Sequence, residues 1–114
     1  MIYSKDNSPH YIWGNGCDSW VLNDSRSLSV KQEKMPPGTA EKLHFHKAAE
    51  QVFYILKGEA VFDINDKKFS VKAGESISIQ PQSEHFISNK SQDELEFLVI
   101  SSPSTNNDRT EIEK

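Results

Sequence analysis

The chain has 114 residues, enough for one domain with a single core and too few for a catalytic domain with a second, regulatory one. Its net charge of −4 and isoelectric point near 5.5 provide no basic surface, so we expect neither nucleic acid nor a membrane as partner. The single cysteine, Cys17, excludes an intrachain disulfide, and no apolar run is long enough for a signal core or a membrane span. The composition predicts a soluble cytoplasmic protein.

The first 25 residues form a polar leader with many turn-forming residues and no helical period. Trp13 and Trp20 lie on either side of a Gly-Asn-Gly turn, and tryptophans in such a segment more often anchor it than bind a ring-shaped ligand. His10 has no spaced partner, so we expect it at the surface. We predict that residues 1–25 pack on the domain that follows or on a dimer partner.

Short strand patterns separated by turn residues follow as far as Ile100, and no convincing helical stripe interrupts them. The tail from residue 102 to 114 is polar, and we expect it to be loose or laid over the surface. Many short strands at this spacing predict an all-β fold with a closed or double-sheet architecture. The predicted strands cover residues 28–30, 43–46, 52–56, 60–64, 69–71, 76–79, 85–88 and 95–100.

Three of the four histidines lie in a spacing that suits a metal ion: His44 and His46 are two positions apart, and His85 lies further along the chain. If His44 and His46 belong to one strand, both imidazoles leave the same face, because side chains alternate between faces. Neutral imidazole provides a lone pair without the cost of a buried charge. The pattern therefore predicts a metal site.

Around these histidines the sequence resembles the cupin superfamily, whose first motif reads roughly G-x5-H-x-H-x3-4-E-x6-G and whose second ends in H-x3-N. Gly38, Gly58 and Asn89 stand at the matching positions around the histidines. The resemblance implies a double-stranded β-helix, or jelly-roll, barrel, which we assign to residues 26–101, with residues 102–114 as a polar tail.

The sequence departs from the cupin pattern at two positions. Gln80-Pro81-Gln82 replaces the usual Pro-x-Gly turn, and Gln51 stands where the family usually has a liganding glutamate. Glu50 and Gln51 are neighbours, so only one of them can face inward on a strand. Gln51 shares its face with Phe53 and Ile55, and similar cupins use a glutamine oxygen there. We predict His44, His46, Gln51 and His85 as the metal ligands.

Such a mixed nitrogen and oxygen site suits divalent Fe, Ni, Mn, Zn or Cu, and the ligands alone do not choose among them. A glutamine ligand carries no charge, so we expect lower affinity than with a glutamate. The competing interpretation is that these histidines only pack or form hydrogen bonds in a barrel that has lost its metal.

The resemblance implies a small-molecule ligand or substrate but not its identity, because cupins host many chemistries. One hypothesis is a metal-dependent enzyme, such as an oxygenase or isomerase, and the alternative is a non-catalytic module that binds a sugar or metabolite. The two arginines, Arg26 and Arg109, lie outside both motifs, which weakens phosphorylated or carboxylated ligands. Cys17 has no histidine in a recognisable motif, so we interpret it as a buried apolar group. We predict an apolar pocket lined by Phe53, Ile55, Phe62, Ile77 and Ile79.

Turning Gln51 inward places Val52, Tyr54 and Leu56 on the outer face of the same strand, and Leu43 and Phe45 likewise face outward. That is more apolar surface on one short segment than a small monomer usually leaves in water. Related small cupins usually pair sheet against sheet. We predict a homodimer, and the alternative is that residues 1–25 cover this surface.

Overall fold

The computed structural model describes residues 1–113, which contain eleven β-strands and no helix. The all-β prediction is confirmed. Within these residues no helix is long and apolar enough to cross a membrane. The strands are β1 (His10–Trp13), β2 (Cys17–Asp24), β3 (Ser29–Met35), β4 (His44–Phe45), β5 (Glu50–Lys57), β6 (Glu59–Ile64), β7 (Lys67–Lys72), β8 (Ser76–Ile79), β9 (His85–Ser88), β10 (Leu95–Ser102) and β11 (Thr110–Glu111).

The strands form two antiparallel sheets that enclose one core, as in a jelly roll. The larger sheet has six strands in the order β1-β2-β3-β10-β5-β8, and the smaller has five in the order β11-β4-β9-β6-β7. Neighbours such as β3 and β10 are distant in sequence, so the chain crosses repeatedly from one sheet to the other. This crossing brings β4 and β9, which carry the histidines, side by side.

Alternation along the central strands decides which side chains enter the core. On β5, Gln51, Phe53 and Ile55 are buried, whereas Glu50 and Tyr54 on the opposite face are exposed. The inward residues of both sheets meet in one cluster, and removing their apolar surface from water contributes most of the favourable free energy of folding. Its members are Cys17, Met35, Phe53, Ile55, Ala60, Phe62, Val71, Ile79, Ile87, Leu95, Phe97 and Val99.

Residues 10–24 form two strands, although the sequence suggested only a turn-rich leader. β1 and β2 are joined by a turn in which Gly14 and Gly16 have φ values of 54° and 79°, and β2 pairs with β3. Trp13 packs against the core, and Cys17 is fully buried within it. This segment therefore extends the larger sheet, while the boundaries proposed for leader, barrel and tail remain predictions.

Residues 110–112, near the end of the described chain, also join a sheet. β11 pairs with β4 through Thr110 opposite Phe45 and Glu111 opposite His44, and the N–H of Ile112 donates to the carbonyl of Leu43. The sequence left two alternatives for the tail, loose or laid over the surface, and residues 110–112 lie against β4 by strand pairing. Such pairing is hard to predict from a two-residue strand because its partner lies far away in the sequence.

Gly58, between β5 and β6, is the glycine whose replacement would be most costly. Its φ is +88°, and a Cβ atom there would lie 2.7 Å from the carbonyl oxygen of Glu94. Both the backbone conformation and the lack of space therefore require glycine at this turn. The turn keeps β5 and β6 in place, and β5 carries Gln51.

Candidate metal centre

The three motif histidines meet inside the barrel. His44 lies on β4, His46 follows directly after that strand, and His85 begins β9 opposite His44. All three are buried, with 2%, 4% and 1% of their surface exposed. One potential ligand atom from each lies within 4.8 Å of the other two. The triad is positioned to bind a divalent metal ion.

Backbone carbonyls determine which nitrogen of each ring is free. Nδ1 of His44 lies 2.7 Å from the carbonyl oxygen of Lys42, and Nδ1 of His85 lies 2.8 Å from that of Ser83. Nδ1 of His46 contacts the carbonyl oxygen of Asp108 in the same way. A carbonyl only accepts, so each Nδ1 must carry the proton and each Nε2 keeps its lone pair.

The free nitrogens fit a cation. Nε2 of His46 is buried and has no hydrogen-bond partner in residues 1–113. Nε2 of His85 lies 3.2 Å from Oε1 of Gln51, so two electron-pair acceptors face each other. A buried acceptor without a donor costs free energy, and a metal ion removes that cost for all of them together. The donor set therefore fits a metal ion rather than a purely packed barrel.

The structure places Gln51 inside and Glu50 in solvent. The Gln51 side chain is buried, and its Nε2 donates to Oγ of Ser101 at 3.0 Å, which leaves Oε1 on the side of the histidines. Ser101 lies opposite Gln51 in the pairing of β10 with β5. Gln51 is thus the neighbour able to offer an oxygen to the triad, and its role as a ligand stays a prediction.

Burial keeps the three imidazoles neutral. It lowers the pKa of His44 to about 3 and that of His85 to about 4, and it lowers the pKa of His46. The positive charge of Arg109 acts in the same direction on all three. A neutral imidazole is the form that ligates a metal, so the site needs no deprotonation near neutral pH.

Charged residues that the sequence did not predict as part of the site lie beside the triad. Oε1 of Glu41 lies 4.0 Å from Nε2 of His44, and Oε2 of Glu41 lies 3.9 Å from Nη1 of Arg109. Nε of Arg109 lies 3.4 Å from Oε2 of Glu111. Burial raises the pKa of Glu41 to about 8 and also raises the pKa of Glu33, while Arg109 opposes both shifts. A nearby dication would favour the ionised carboxylates.

These groups line a cavity of about 690 Å³ that also contains His44, His46 and Gln51. The cavity is not the apolar pocket that the sequence suggested. Its charged lining residues are Lys31, Glu33, Glu41, Lys42, Arg109 and Glu111, and its aromatic ones are Tyr11, Trp13 and Phe53.

The sequence predicted five residues that line an apolar pocket. Within residues 1–113, the lining of this cavity includes Phe53 and none of the other four. Ile55, Phe62 and Ile79 are buried in the core cluster, and Ile77 packs against it. Strand alternation predicted correctly that these side chains face inward, but it does not say whether an inward position reaches the open end of the barrel or its packed interior.

The other residues considered from the sequence lie away from the triad. His10 is exposed, and its Nε2 lies 2.8 Å from Oδ1 of Asp18. Cys17 is buried in the core, and burial raises the pKa of its thiol, which suits an apolar filler rather than a nucleophile. Trp13 lines the cavity, whereas Trp20 lies against the ring of His10.

Arg109 overturns one inference from the sequence. Its position outside both motifs was an argument against carboxylated ligands, but β11 brings it into the wall of the cavity. Glu41 escaped notice because it lies three positions before His44, where strand parity would turn it to the other face. Residues 41–43 are not a strand in the structure, so parity does not apply there.

Comparison with known proteins agrees with this architecture. An uncharacterised protein of Methanocaldococcus jannaschii is 34% identical over 84 residues, which cover 74% of this chain and 67% of that protein. An oxalate-binding protein of Thermotoga maritima is 39% identical over 67 residues, which cover 59% of this chain and 55% of that protein. The alignment thus spans little more than half of the oxalate-binding protein.

Solved structures show the same fold. The crystal structure of a predicted oxalate decarboxylase from Thermotoga maritima has a TM-score of 0.82 at 26% identity, covering 91% of this chain and 100% of that chain. A family model for the cupin domain matches residues 31–101, which include all four predicted metal ligands. The chain belongs to the cupin family.

Proposed function

We propose that this cupin holds one divalent metal ion on His44, His46, Gln51 and His85, and that it binds a small carboxylate beside that ion. The observation that carries the proposal is Arg109, whose guanidinium shares the cavity with a ligand set that has no charge of its own. A dication on neutral ligands keeps its full positive charge. The ion and the arginine therefore both favour an anion in this cavity.

The named relative supports the same chemistry. The protein from Thermotoga maritima binds oxalate, a small dicarboxylate, and it is 39% identical to this chain over 67 residues. A bound ion would supply Lewis acidity toward a carboxylate oxygen. The size of the cavity, about 690 Å³, leaves room for a ligand larger than oxalate. Binding is a step shared by the enzyme and the binding-module hypotheses.

The residues of the chain have distinct parts in this proposal. The three carbonyls that accept from Nδ1 orient the imidazoles, and burial keeps these rings neutral. Arg109 offers N–H donors to a carboxylate, and its contacts of 3.9 Å to Glu41 and 3.4 Å to Glu111 keep it in the cavity wall. The aromatic rings of Trp13 and Phe53 form apolar wall that limits the access of water.

The test uses oxalate as the probe and calorimetry as the measurement. Protein freed of metal with a chelator is reloaded with Mn²⁺ or Co²⁺ and titrated with oxalate. We expect binding by the loaded protein and none by the metal-free protein or by His44→Ala. Arg109→Ala should weaken binding about tenfold, the loss expected for one hydrogen bond to a charged group.

Arg26→Ala is the matched control, since it removes the other arginine of the chain, which lies outside the residues that line the cavity. It should bind oxalate like the unmodified protein. Equal oxalate binding with and without metal, or equal weakening by both arginine substitutions, would contradict the proposal.

A further inference from the structure

The four proposed metal ligands carry no negative charge to balance the charge of a divalent ion. Three neutral imidazoles and the amide of Gln51 would surround a dication, where the family motif has a glutamate at position 51. The imidazoles are at most 4% exposed, so bulk water offsets little of that charge on the side of the ion that faces these rings. A buried charge without a partner is strongly unfavourable. A nearby anion from the chain would relieve this cost.

One carboxylate stands in the right place. Among the ion pairs within residues 1–113, the contact of Glu41 with His44 is the one that involves a histidine of the triad. The 4.0 Å distance joins Oε1 of Glu41 to Nε2 of His44. Because Nδ1 of His44 donates to the carbonyl of Lys42, Nε2 is the atom that faces the ion. Glu41 therefore lies on the metal side of the ring.

The backbone of β9 holds this carboxylate in position. The N–H of Glu41 donates to the carbonyl of Ile87 at 3.0 Å, and the N–H of Ile87 donates back to Oε1 of Glu41 at 3.2 Å. An isolated bridge between Ala40 and Ser88 reinforces the pairing. His85 lies on the same strand, so Glu41 and this ligand are fixed to one rigid element.

We propose that Glu41 is the outer carboxylate of the metal centre, supplying from the loop before β4 the negative charge that Gln51 does not. It is not part of the cluster whose ligand atoms lie within 4.8 Å, so we assign it to the outer sphere. There it accepts a hydrogen bond from a water or ligand hydroxyl on the ion. The inference rests on the proposed metal binding and adds a role for one residue.

This assignment also narrows the ligand class. Arg109 on one side of Glu41 favours a carboxylate, whereas Glu41 itself repels a second carboxylate and attracts a donor. A small monocarboxylate with a hydroxyl next to the carboxyl group satisfies both residues. We expect the ratio of glycolate affinity to oxalate affinity to be higher in the unmodified protein than in Glu41→Gln.

Moving the negative charge from position 41 to position 51 tests the role of Glu41, and the measured quantity is metal affinity. Four proteins are compared: unmodified, Glu41→Gln, Gln51→Glu and the double variant. Co²⁺ affinity is measured by competition with a chelator. We expect Glu41→Gln alone to lose at least about tenfold, as outer-sphere substitutions typically do. In the Gln51→Glu background, Glu41→Gln should lower Co²⁺ affinity less than about threefold, because the glutamate at position 51 then supplies the negative charge directly.

Two controls separate this role from a structural one. Glu50→Gln removes the exposed carboxylate next to Gln51 and should leave Co²⁺ affinity unchanged. The Co²⁺ absorption spectrum should shift in Glu41→Gln, because a group that touches the ion's bound water changes its ligand field. If Glu41→Gln proves unstable, Glu41→Asp keeps the charge and should retain most of the affinity.

The outcomes distinguish this inference from the proposed function. Unchanged affinity in Glu41→Gln, with metal still lost in His44→Ala, overturns the role of Glu41 and leaves the metal site standing. An equal loss from Glu41→Gln in both backgrounds also overturns it, since the residue would then act only through the fold. Absence of metal binding in the unmodified protein would overturn the proposed function itself.

Discussion

The backbone carbonyl of Asp108 accepts a hydrogen bond from Nδ1 of His46, although the two residues are 62 positions apart in the sequence. The carboxylate of Asp108 accepts three more, from the N–H groups of Lys47, Ala48 and Ala49 at 2.7, 3.0 and 3.1 Å. One residue after β10 therefore holds both a histidine of the triad and the loop that leads to Gln51. The cupin domain match ends at residue 101, before this residue.

We predict that Asp108→Ala weakens metal binding about tenfold, because the carboxylate fixes the loop after His46 and holds the carbonyl of Asp108 in place to accept from His46. The free energy of unfolding should fall by about 1–2 kcal/mol, since three backbone donors lose a charged acceptor. Chelator competition and urea unfolding measure the two effects. Asp93→Ala, an exposed aspartate, is the control and should change neither. Normal metal affinity in Asp108→Ala would show that the carboxylate of Asp108 is not needed to position His46.

The choice between Gln51 and Glu50 gives a second prediction. Gln51→Glu should tighten metal binding because it adds a negative charge inside the site, while Glu50→Ala should have little effect because Glu50 faces solvent. Competition with a chelator on both variants is the measurement. Loss of metal in Glu50→Ala but not in Gln51→Ala would mean that the register of β5 is shifted by one residue in solution.

The shifted pKa values of the buried residues at the site predict how the stability of the metal-free protein depends on pH. His44 and His85 have native pKa values of about 3 and about 4, below the ordinary 6.5. The unfolded chain therefore binds more protons in acid, and stability falls as the pH drops below 6.5. Glu41 acts oppositely: its native pKa is about 8 against an ordinary 4.5, so its contribution is full below pH 4.5 and is lost as the pH rises to 8.

Together these shifts place the maximum stability of the metal-free protein near pH 6.5, and Glu33, whose pKa burial also raises, contributes with the same sign as Glu41. Urea unfolding of chelator-treated protein between pH 4 and 9 measures the profile. Glu41→Gln should flatten the alkaline decline and leave the acid decline in place. Stability that continues to rise up to pH 8 would contradict a buried Glu41 in the metal-free state.

The outer face of the larger sheet predicts a homodimer. Tyr54 and Leu56 are 39% and 41% exposed, and the register places Leu98 opposite Tyr54 and Ile100 opposite Val52 on the same face. A second copy would cover this surface symmetrically. Sedimentation at low micromolar concentration should report twice the chain mass of 13.0 kDa.

Tyr54→Glu should shift the protein toward monomer, because a charge would be buried at the interface without a partner. The matched control is Phe69→Glu, which places the same charge on an exposed aromatic position of the smaller sheet, on β7. It should leave the dimer intact. A monomer at high concentration in the unmodified protein would refute the prediction of a homodimer.

The sequence alone determined the parts of this protein that follow a strand period. His44 and His46 share a face, Gln51 points inward and Glu50 outward, and short β-prone segments separated by turns specify an all-β fold. These inferences need only the alternation of side chains, which holds wherever a strand forms. The β1–β2 hairpin escaped prediction because turn-forming residues precede β1 and separate it from β2, and these drew attention away from the β-prone residues of the two strands. β2 is stabilised by pairing with β3, and β1 pairs with β2 at the edge of the sheet.

The tertiary structure decided which charged residues surround the site and how deep in the barrel each inward-facing side chain lies. Arg109, Asp108 and Glu41 lie in segments without a period, and their places beside the histidines depend on β11 pairing with β4 and on Ile87. Inward parity likewise could not separate Phe53, which lines the cavity, from Ile55, which is in the core. A strand pattern tells which face a side chain takes, whereas its distance from the open end depends on how the two sheets close on each other.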